Sequence, residues 1–469
     1  MKIIPKVYWY PALLILTLVA FFSLYFTLYL PYLGEEGQYT LSALEMVYHH
    51  YYWQPFSFGG FYWRPPLYNW FIIAAMYLTG PAHILVAARL VTASASVLTG
   101  VMLWFLSQRL FQQKLFAVLT VAAFFSGDFL FRRGWIVSSD PIFSLATFIA
   151  VSCLWISYKE QRPVFWIPVP LALFAAVLIK AFTAYIFYGT ALLVIWLASD
   201  SKIYLFKPAS ILAHVAAILL PVLWFVYVPN ANWHGMLGDI THRTAMSSFP
   251  LAHYFKKIIS APYEVLLRLA PVDLLAFYSL YHRKRNPDAA AALPSLDPKL
   301  IKILLWIIGL SALPYWLAPS NLPIHYFLPL MPLAAIVFSY CIWRGGEKMV
   351  SLAVLVLAIE LGLKCVSSFV GLPWFEHMNW PQQQIAQDII QRSQHYENLY
   401  AEGMDSRVGL SVTATIDALR WPQAPLISPP QFSNGCVITP NRNPAWGELQ
   451  QIYAIKRQDP LYLYCAKPS

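Results

Sequence analysis

Apolar stretches of about 20 residues recur along most of the chain, separated by short polar segments. A helix rises roughly 1.5 Å per residue, so about 20 residues cross the hydrocarbon core of a bilayer. The pattern predicts spans near 11–30, 84–107, 115–131, 141–157, 164–179, 182–198, 209–228, 264–281, 301–317, 326–343 and 349–370, about eleven in all. The stretch 115–131 is the weakest, being short and ending at Arg132 and Arg133. After about residue 376 the long apolar runs stop and Gln, Asn, Asp and Pro become common. There, 381–394 has the period of an amphipathic helix, with Ile385, Ile389 and Ile390 on one side. Arg407–Val412, Cys436–Thr439 and Leu461–Cys465 have the pattern of short strands. The expected architecture is an all-α polytopic membrane protein over 1–375 with a small α/β domain over 376–469. Within the first part, 31–83 forms a long loop with helices lying near the membrane boundary.

Charge orients this pattern. With the amino terminus inside, the inner loops hold Lys2 and Lys6, Arg109 and Lys114, Lys159 and Arg162, and Lys202 and Lys207. They continue with Arg283, Lys284, Arg285, Lys299 and Lys302, then Arg344 and Lys348. Every inner loop is basic, as the distribution of Lys and Arg around membrane spans requires. An odd number of spans then places the carboxy-terminal domain outside, in the periplasm of a cell with an inner membrane. The apolar run behind Lys2–Lys6 lacks a small-residue cleavage site and is expected to remain as the first span.

Composition excludes alternatives. The chain has 469 residues, 59% apolar and only 12% charged, so a water-soluble fold could not hide its apolar surface. Its net charge of +10 belongs to the inner loops, and nucleic acid is not needed to explain it. Aromatics at 16% suit two water–lipid boundaries. The five cysteines show no CxxC spacing; Cys436 with Cys465 is a candidate disulfide in an oxidising compartment, with Cys365 as a competing partner.

Polar residues gather at the outer edge of the predicted bilayer. Glu35 and Glu36 follow the first span, Arg64 lies late in the first loop, Asp140 opens a span, Lys180 joins two spans and His325 opens another. Tyr39, Arg133 and Arg243 are further candidates for substrate contact. Such a set suits a substrate with a buried lipid tail and a phosphate at the interface: cations hold phosphate oxygens, and a carboxylate deprotonates an acceptor hydroxyl. Each residue also has a plainer reading. Lys180, Arg132 and Arg133 could snorkel toward water. Asp140 before Pro141 could only cap a helix, and His325 could be an interfacial hydrogen-bonding group. The two glutamates could hold backbone amides of a helix starting near Gln38.

The same residues resemble a known family. Glu35-Glu36-Gly37-Gln38-Tyr39 with Ala43, Glu45 and Met46, then Tyr62-Trp63-Arg64-Pro65-Pro66-Leu67-Tyr68-Asn69-Trp70, is similar to the first-loop segments of the aminoarabinose lipid A transferase and protein O-mannosyltransferase superfamily. Arg89-Leu90, Ser139-Asp140-Pro141, Leu178-Ile179-Lys180, and Leu322-Pro323 with His325-Tyr326-Phe327-Leu328-Pro329 resemble its later motifs, in order, over about residues 9–345. The resemblance implies the C-class glycosyltransferase membrane fold and a polyprenyl-phosphate sugar donor. The acceptor would be an envelope lipid such as lipid A, a glycan or a protein. It also implies Glu35 as general base, Asp140 as a second acid of the site, and Arg64 and Lys180 on the donor phosphate. Glu36 is a third acidic candidate and His325 a third phosphate contact. Some related enzymes use a divalent metal, but no ligand spacing here points to one. The chain departs from the family pattern at Glu35 (usually Asp), Gln38 (Arg), Trp63-Arg64 (Glu-Lys), Asn321 (Lys) and Ala181 (Gly). The expected function is an inner-membrane glycosyltransferase acting at the periplasmic face. The alternatives are an inactive family member serving as a scaffold and a transporter of a lipid-linked substrate.

Overall fold

The computed structural model describes residues 4–200, 202–236, 238, 251–285, 293–318, 324–374, 381–429, 434–455 and 459–466. The apolar runs form a helical bundle. Among the described residues, seven helical segments are long and apolar enough to cross a membrane: Lys6–Thr27, Pro81–Phe111, Ser139–Glu160, Pro208–Tyr227, Pro298–Leu317, Ile324–Arg344 and Glu347–Trp374. Four shorter apolar ones accompany them: Leu67–Thr79, Lys114–Ser126, Pro163–Ile179 and Ala184–Ala198. This is a polytopic membrane fold. Lys6 pairs with Glu347 at 3.0 Å and Arg109 with Glu160 at 2.8 Å, so basic loops and their acidic partners collect at one end of the bundle. The opposite end carries the carboxy-terminal domain.

Two predicted spans are divided. The run 115–131 becomes Lys114–Ser126 and a separate short helix, Asp128–Arg133, broken at Gly127. The run 264–281 becomes the end of Leu251–Leu267 and a second helix, Val272–Arg285. One contact pins both breaks: Phe129 N–H donates to the Arg268 carbonyl, and Arg268 Nη1 lies 2.6 Å from Asp128 Oδ2. Two chain reversals thus brace each other at the domain-bearing end.

The first long loop contains the helices Glu36–Tyr48 and Leu67–Thr79, joined through a small antiparallel hairpin of β1 (Phe56–Ser57) and β2 (Gly60–Phe61). Glu45, fully buried, accepts from the amides of Phe58 and Gly59 at 2.7 and 2.9 Å and so holds the hairpin tip against the first helix.

The carboxy-terminal domain has a four-stranded sheet of β3 (Leu399–Ala401), β4 (Gly435–Thr439), β5 (Glu448–Tyr453) and β6 (Leu461–Ala466), in the order β3-β4-β6-β5. β3 and β4 are parallel, which requires a crossover; the helix Arg407–Arg420 supplies it. That helix corrects the expected strand at 407–412. Val408, Leu410 and Val412 alternate as in a strand, but the segment continues to Arg420 and is capped by Ser406, whose Oγ accepts from Gly409 N–H at 3.1 Å. The helix packs against both Glu36–Tyr48 and Gln382–Ser393, and every residue from Val408 to Ala418 is buried. The expected helix at 381–394 is present as Gln382–Ser393. Cys436 and Cys465 sit opposite each other on β4 and β6 and form a disulfide, while Cys365 is free.

The domain is docked against the first loop. Tyr32 and Leu41 share an apolar cluster with Leu410 and Ala414. Gly37 lies so close to the Leu410 backbone that a Cβ would approach its carbonyl carbon to 2.5 Å, so only glycine permits this helix crossing.

Candidate active site

The site begins with a buried guanidinium. Arg89, fully buried in the helix Ile84–Phe111, binds Glu36 bidentately: Nε to Oε1 at 2.9 Å and Nη2 to Oε2 at 2.5 Å. Its remaining donors take the carbonyls of Thr27 at 3.0 Å and Pro31 at 2.7 Å. Glu36 in turn accepts from Leu33 N–H at 2.7 Å and from Val137 N–H at 2.9 Å. One ion pair therefore ties the end of the first span, the start of the first loop and the segment leading to Asp140. Glu36 spends both oxygens on this task and does not line the cavity. It holds backbone amides, but those of Leu33 and Val137 in place of the helix amides near Gln38 that the plainer reading expects. Gly34 turns the strap above it, with a φ of +61° in the left-handed region.

Above the clamp lies a cavity of about 630 Å³ at the domain-bearing end of the bundle. Glu35, Tyr39, Arg64, Arg133, Asp140, Lys180 and His325 all line it. Residues more than 280 positions apart in sequence therefore share one chamber, as the clustering at a single membrane edge predicts. Arg243 lies outside the described residues, and so does the Asn321-Leu322-Pro323 part of the last motif.

Asp140 stands in the first turn of the helix Ser139–Glu160 and is buried. Its Oδ1 is bonded by Lys180 Nζ, and its Oδ2 lies 3.8 Å from His325 Nε2. Lys180 follows the helix Pro168–Ile179 with φ −144° and ψ −62°, so its side chain leaves the helix direction and enters the chamber. Its Nζ also sits 4.3 Å from the centre of the Tyr326 ring. The three residues thus form one linked unit drawn from three membrane helices.

Arg64 is held by the first loop. Gln54 Nε2 donates to its carbonyl at 3.0 Å, and Pro65 and Pro66 stiffen the backbone behind it. Its guanidinium bonds Tyr39 Oη and lies 5.3 Å from the Tyr39 ring centre and 5.4 Å from that of Trp63. Tyr39 Oη in turn meets Ser139 Oγ at 3.2 Å, which couples the Arg64 loop to the Asp140 helix. Burial works against the Arg64 charge, but Tyr39, Tyr62, Glu35 and Asp140 together hold its pKa above the ordinary value, so it stays cationic.

Glu35 differs from the other acids. It precedes the helix Glu36–Tyr48 but makes no side-chain capping bond, and its carboxylate has no hydrogen bond or salt bridge among the described residues. It is exposed to the chamber, near enough to Arg64 to bear on its charge. Of the three acids, one is locked to Arg89, one is paired with Lys180, and Glu35 is free to act.

One rim residue escaped the sequence reading. Arg407, at the start of the domain helix, lines the chamber. Arg132 lines it too, pairing with Asp128 at 3.0 Å. Nothing in the sequence marks Arg407, because its place depends on how the domain docks. Arg89 was visible only as part of an Arg-Leu motif without a role. As for a metal, the carboxylate oxygens of Glu36 and Asp140 are taken by cations and amides. Among the described residues no group of three or more His, Cys, Asp or Glu side chains is placed to hold one.

No protein-family model matches the sequence, and no curated protein sequence matches it. Solved structures share its fold. The crystal structure of ArnT from Cupriavidus metallidurans bound to undecaprenyl phosphate aligns over 98% of both chains with a TM-score of 0.69 at 14% identity. Its apo state aligns over 96% of this chain and 97% of its own, with a TM-score of 0.69 at 15% identity. The Archaeoglobus fulgidus oligosaccharyltransferase, in complex with Zn and sulfate, aligns over 91% of this chain and 67% of its own, with a TM-score of 0.52 at 12% identity. At these identities the likeness establishes the fold alone: that of a polytopic membrane protein with a small carboxy-terminal α/β domain.

Proposed function

We propose that this protein is a membrane glycosyltransferase that moves a sugar from a polyprenyl-phosphate donor to an envelope acceptor. The observation that carries the reading is the chamber itself. It joins Glu35, whose carboxylate has no partner among the described residues, to the cations Arg64 on the first loop and Lys180 at the end of a membrane helix, where a lipid-borne phosphate would lie. The bound undecaprenyl phosphate of the ArnT structure, which shares the fold, supports that class of donor. In the reading, 1–375 forms the transferase domain and 376–469 a periplasmic domain, with the amino terminus in the cytoplasm of an inner membrane.

The chemistry follows from the placement. Arg64 and Lys180 bind the donor phosphate oxygens, with His325 beside them. Asp140 fixes Lys180 and His325 in position. Glu35 accepts the proton of the acceptor hydroxyl as its oxygen forms a bond to the sugar's anomeric carbon. The bond from that carbon to the phosphate oxygen breaks, and its electron pair leaves with the polyprenyl phosphate. Tyr39, Arg133 and Arg243 serve substrate contact, Arg133 from the outer rim. Because the donor carries its own activation, the reaction needs no nucleotide.

The test is transfer of radiolabelled sugar from a polyprenyl-phosphate donor in membranes containing the protein. Glu35→Gln keeps the side-chain shape but removes basicity, and the expected loss in turnover is roughly 10²-fold or more. A normal rate in that variant would remove Glu35 from the role and move it to Asp140. An absence of transfer by the unaltered protein with every polyprenyl-linked sugar offered would favour the inactive scaffold.

A further inference from the structure

A second cavity, of about 390 Å³, opens where the end of the first span meets the carboxy-terminal domain. Leu28–Tyr32 form one wall, Ala82–Val86 another, and the domain helices Gln382–Ser393 and Arg407–Arg420 the third. Its volume lies in the range of small-molecule sites, about 300–1,000 Å³. Its chemistry is unlike that of the catalytic chamber. Among the described residues the lining has no Asp, Glu, Lys or Arg, and His83 is its only basic side chain. Four carboxamides line it instead, from Gln382, Gln383, Gln384 and Gln387.

Gln382 supplies the independent sign of a ligand. It is 2% exposed, and its Nε2 donates to the Tyr32 carbonyl at 3.4 Å, which fixes which end of the amide is oxygen. Its Oε1 is buried and accepts no hydrogen bond among the described residues. A buried acceptor without a donor costs free energy. Gln383 and Gln387 are four residues apart and exposed, so they stand on one helix face one turn from each other. Carboxamides both donate and accept without charge, as vicinal hydroxyls do. Tyr29, 78% exposed, adds a flat apolar ring for the C–H face of a pyranose.

We propose that this cavity is a binding site for a neutral sugar ring, separate from the donor chamber. The missing Lys and Arg disfavour a phosphate, and the exposed carboxamides disfavour a purely apolar tail. The sugar belongs either to a soluble glycan or to a lipid-anchored one. The inference does not rest on the transferase reading, because it concerns binding alone. The two cavities share one strap of chain: Leu28–Tyr32 line this one and Leu33–Glu35 line the other.

Saturation-transfer NMR on the full chain tests it, with the protein in nanodiscs of phosphatidylethanolamine and phosphatidylglycerol. The probes are methyl and octyl glycosides of glucose, galactose, mannose and N-acetylglucosamine, the octyl forms below their micelle threshold, with glycerol 3-phosphate as the anionic comparison. At least one glycoside is expected to bind, to lose about fivefold or more in affinity in Gln382→Leu and in Gln387→Ala, and to be unaffected by Arg64→Ala. A preference for the octyl form assigns a lipid-anchored sugar; equal binding assigns a soluble one. Gln387 is exposed, so its variant decides the matter even if Gln382→Leu fails to fold. The proposal is overturned if no glycoside binds, if binding survives both glutamine variants, or if only glycerol 3-phosphate binds.

Discussion

Adjacent glutamates show how far neighbouring residues can diverge. Glu36 is buried against Arg89, whereas Glu35 faces the chamber without a partner among the described residues. Their amide variants should therefore fail in different ways. Glu36→Gln leaves the Arg89 charge without its counter-ion, and breaking a buried pair costs about 3–5 kcal/mol. The expected outcome is a marked fall in the detergent melting temperature and in yield. Glu35→Gln should melt near the wild type and lose turnover only. If Glu36→Gln melts normally, the clamp is not what holds the two loops. Arg64 gives a third residue-scale expectation. Its guanidinium is charged, stiffly mounted and close to Tyr39, so Arg64→Ala should raise the donor KM strongly. A fixed KM with a collapsed kcat would contradict phosphate binding by Arg64.

At the scale of elements, the contact between the helices Glu36–Tyr48 and Arg407–Arg420 carries two buried acids. Burial pushes Glu45 up to about 7, although the amides of Gly59 and Phe58 pull it down. Burial pushes Asp417 up to about 8, against the Leu426 amide; Glu45 raises it further and Arg420 lowers it. Asp417 Oδ1 accepts from Leu426 N–H at 3.0 Å, while its Oδ2 accepts no hydrogen bond among the described residues. Both acids bind protons more tightly folded than unfolded. The docking they support is therefore full below about pH 4, falls as pH rises between the unfolded values and about 7 to 8, and is flat above. Amide hydrogen exchange in Arg407–Arg420, corrected for intrinsic rate, should be faster at pH 8.5 than at pH 6. Asp417→Asn should flatten that difference; an unchanged pH dependence would show that these acids do not control docking. Gly37 tests the same contact sterically. Gly37→Val should separate the helices and weaken the chamber rim that Arg407 completes.

For the whole molecule, the basic loops at one end and the docked domain at the other give a single polarity. A reporter active only in the cytoplasm, fused to the carboxy terminus, should be silent. Thiol labelling should agree, with Cys436 and Cys465 reacting only after reduction. Strong cytoplasmic reporter activity would reverse the orientation.

Sequence by itself determined the membrane class, the number of apolar runs, the change of composition near residue 376 and the edge at which Glu35, Arg64, Asp140, Lys180 and His325 lie. Those follow from hydropathy and charge, which act locally and leave a period in the chain. The sequence also offered Cys436 with Cys465, since both flank predicted strands. Tertiary structure decided the rest. It made 407–412 a helix, because the segment runs on to Arg420 and packs between Glu36–Tyr48 and Gln382–Ser393, whereas Val408, Leu410 and Val412 read alone alternate as in a strand. It divided 115–131 and 264–281, because Asp128 and Arg268 meet across 140 positions. It separated Glu36 from Glu35, because only the fold places Arg89 beneath one of them. It brought Arg407 to the chamber through a domain contact that exists in space and leaves no trace in local sequence.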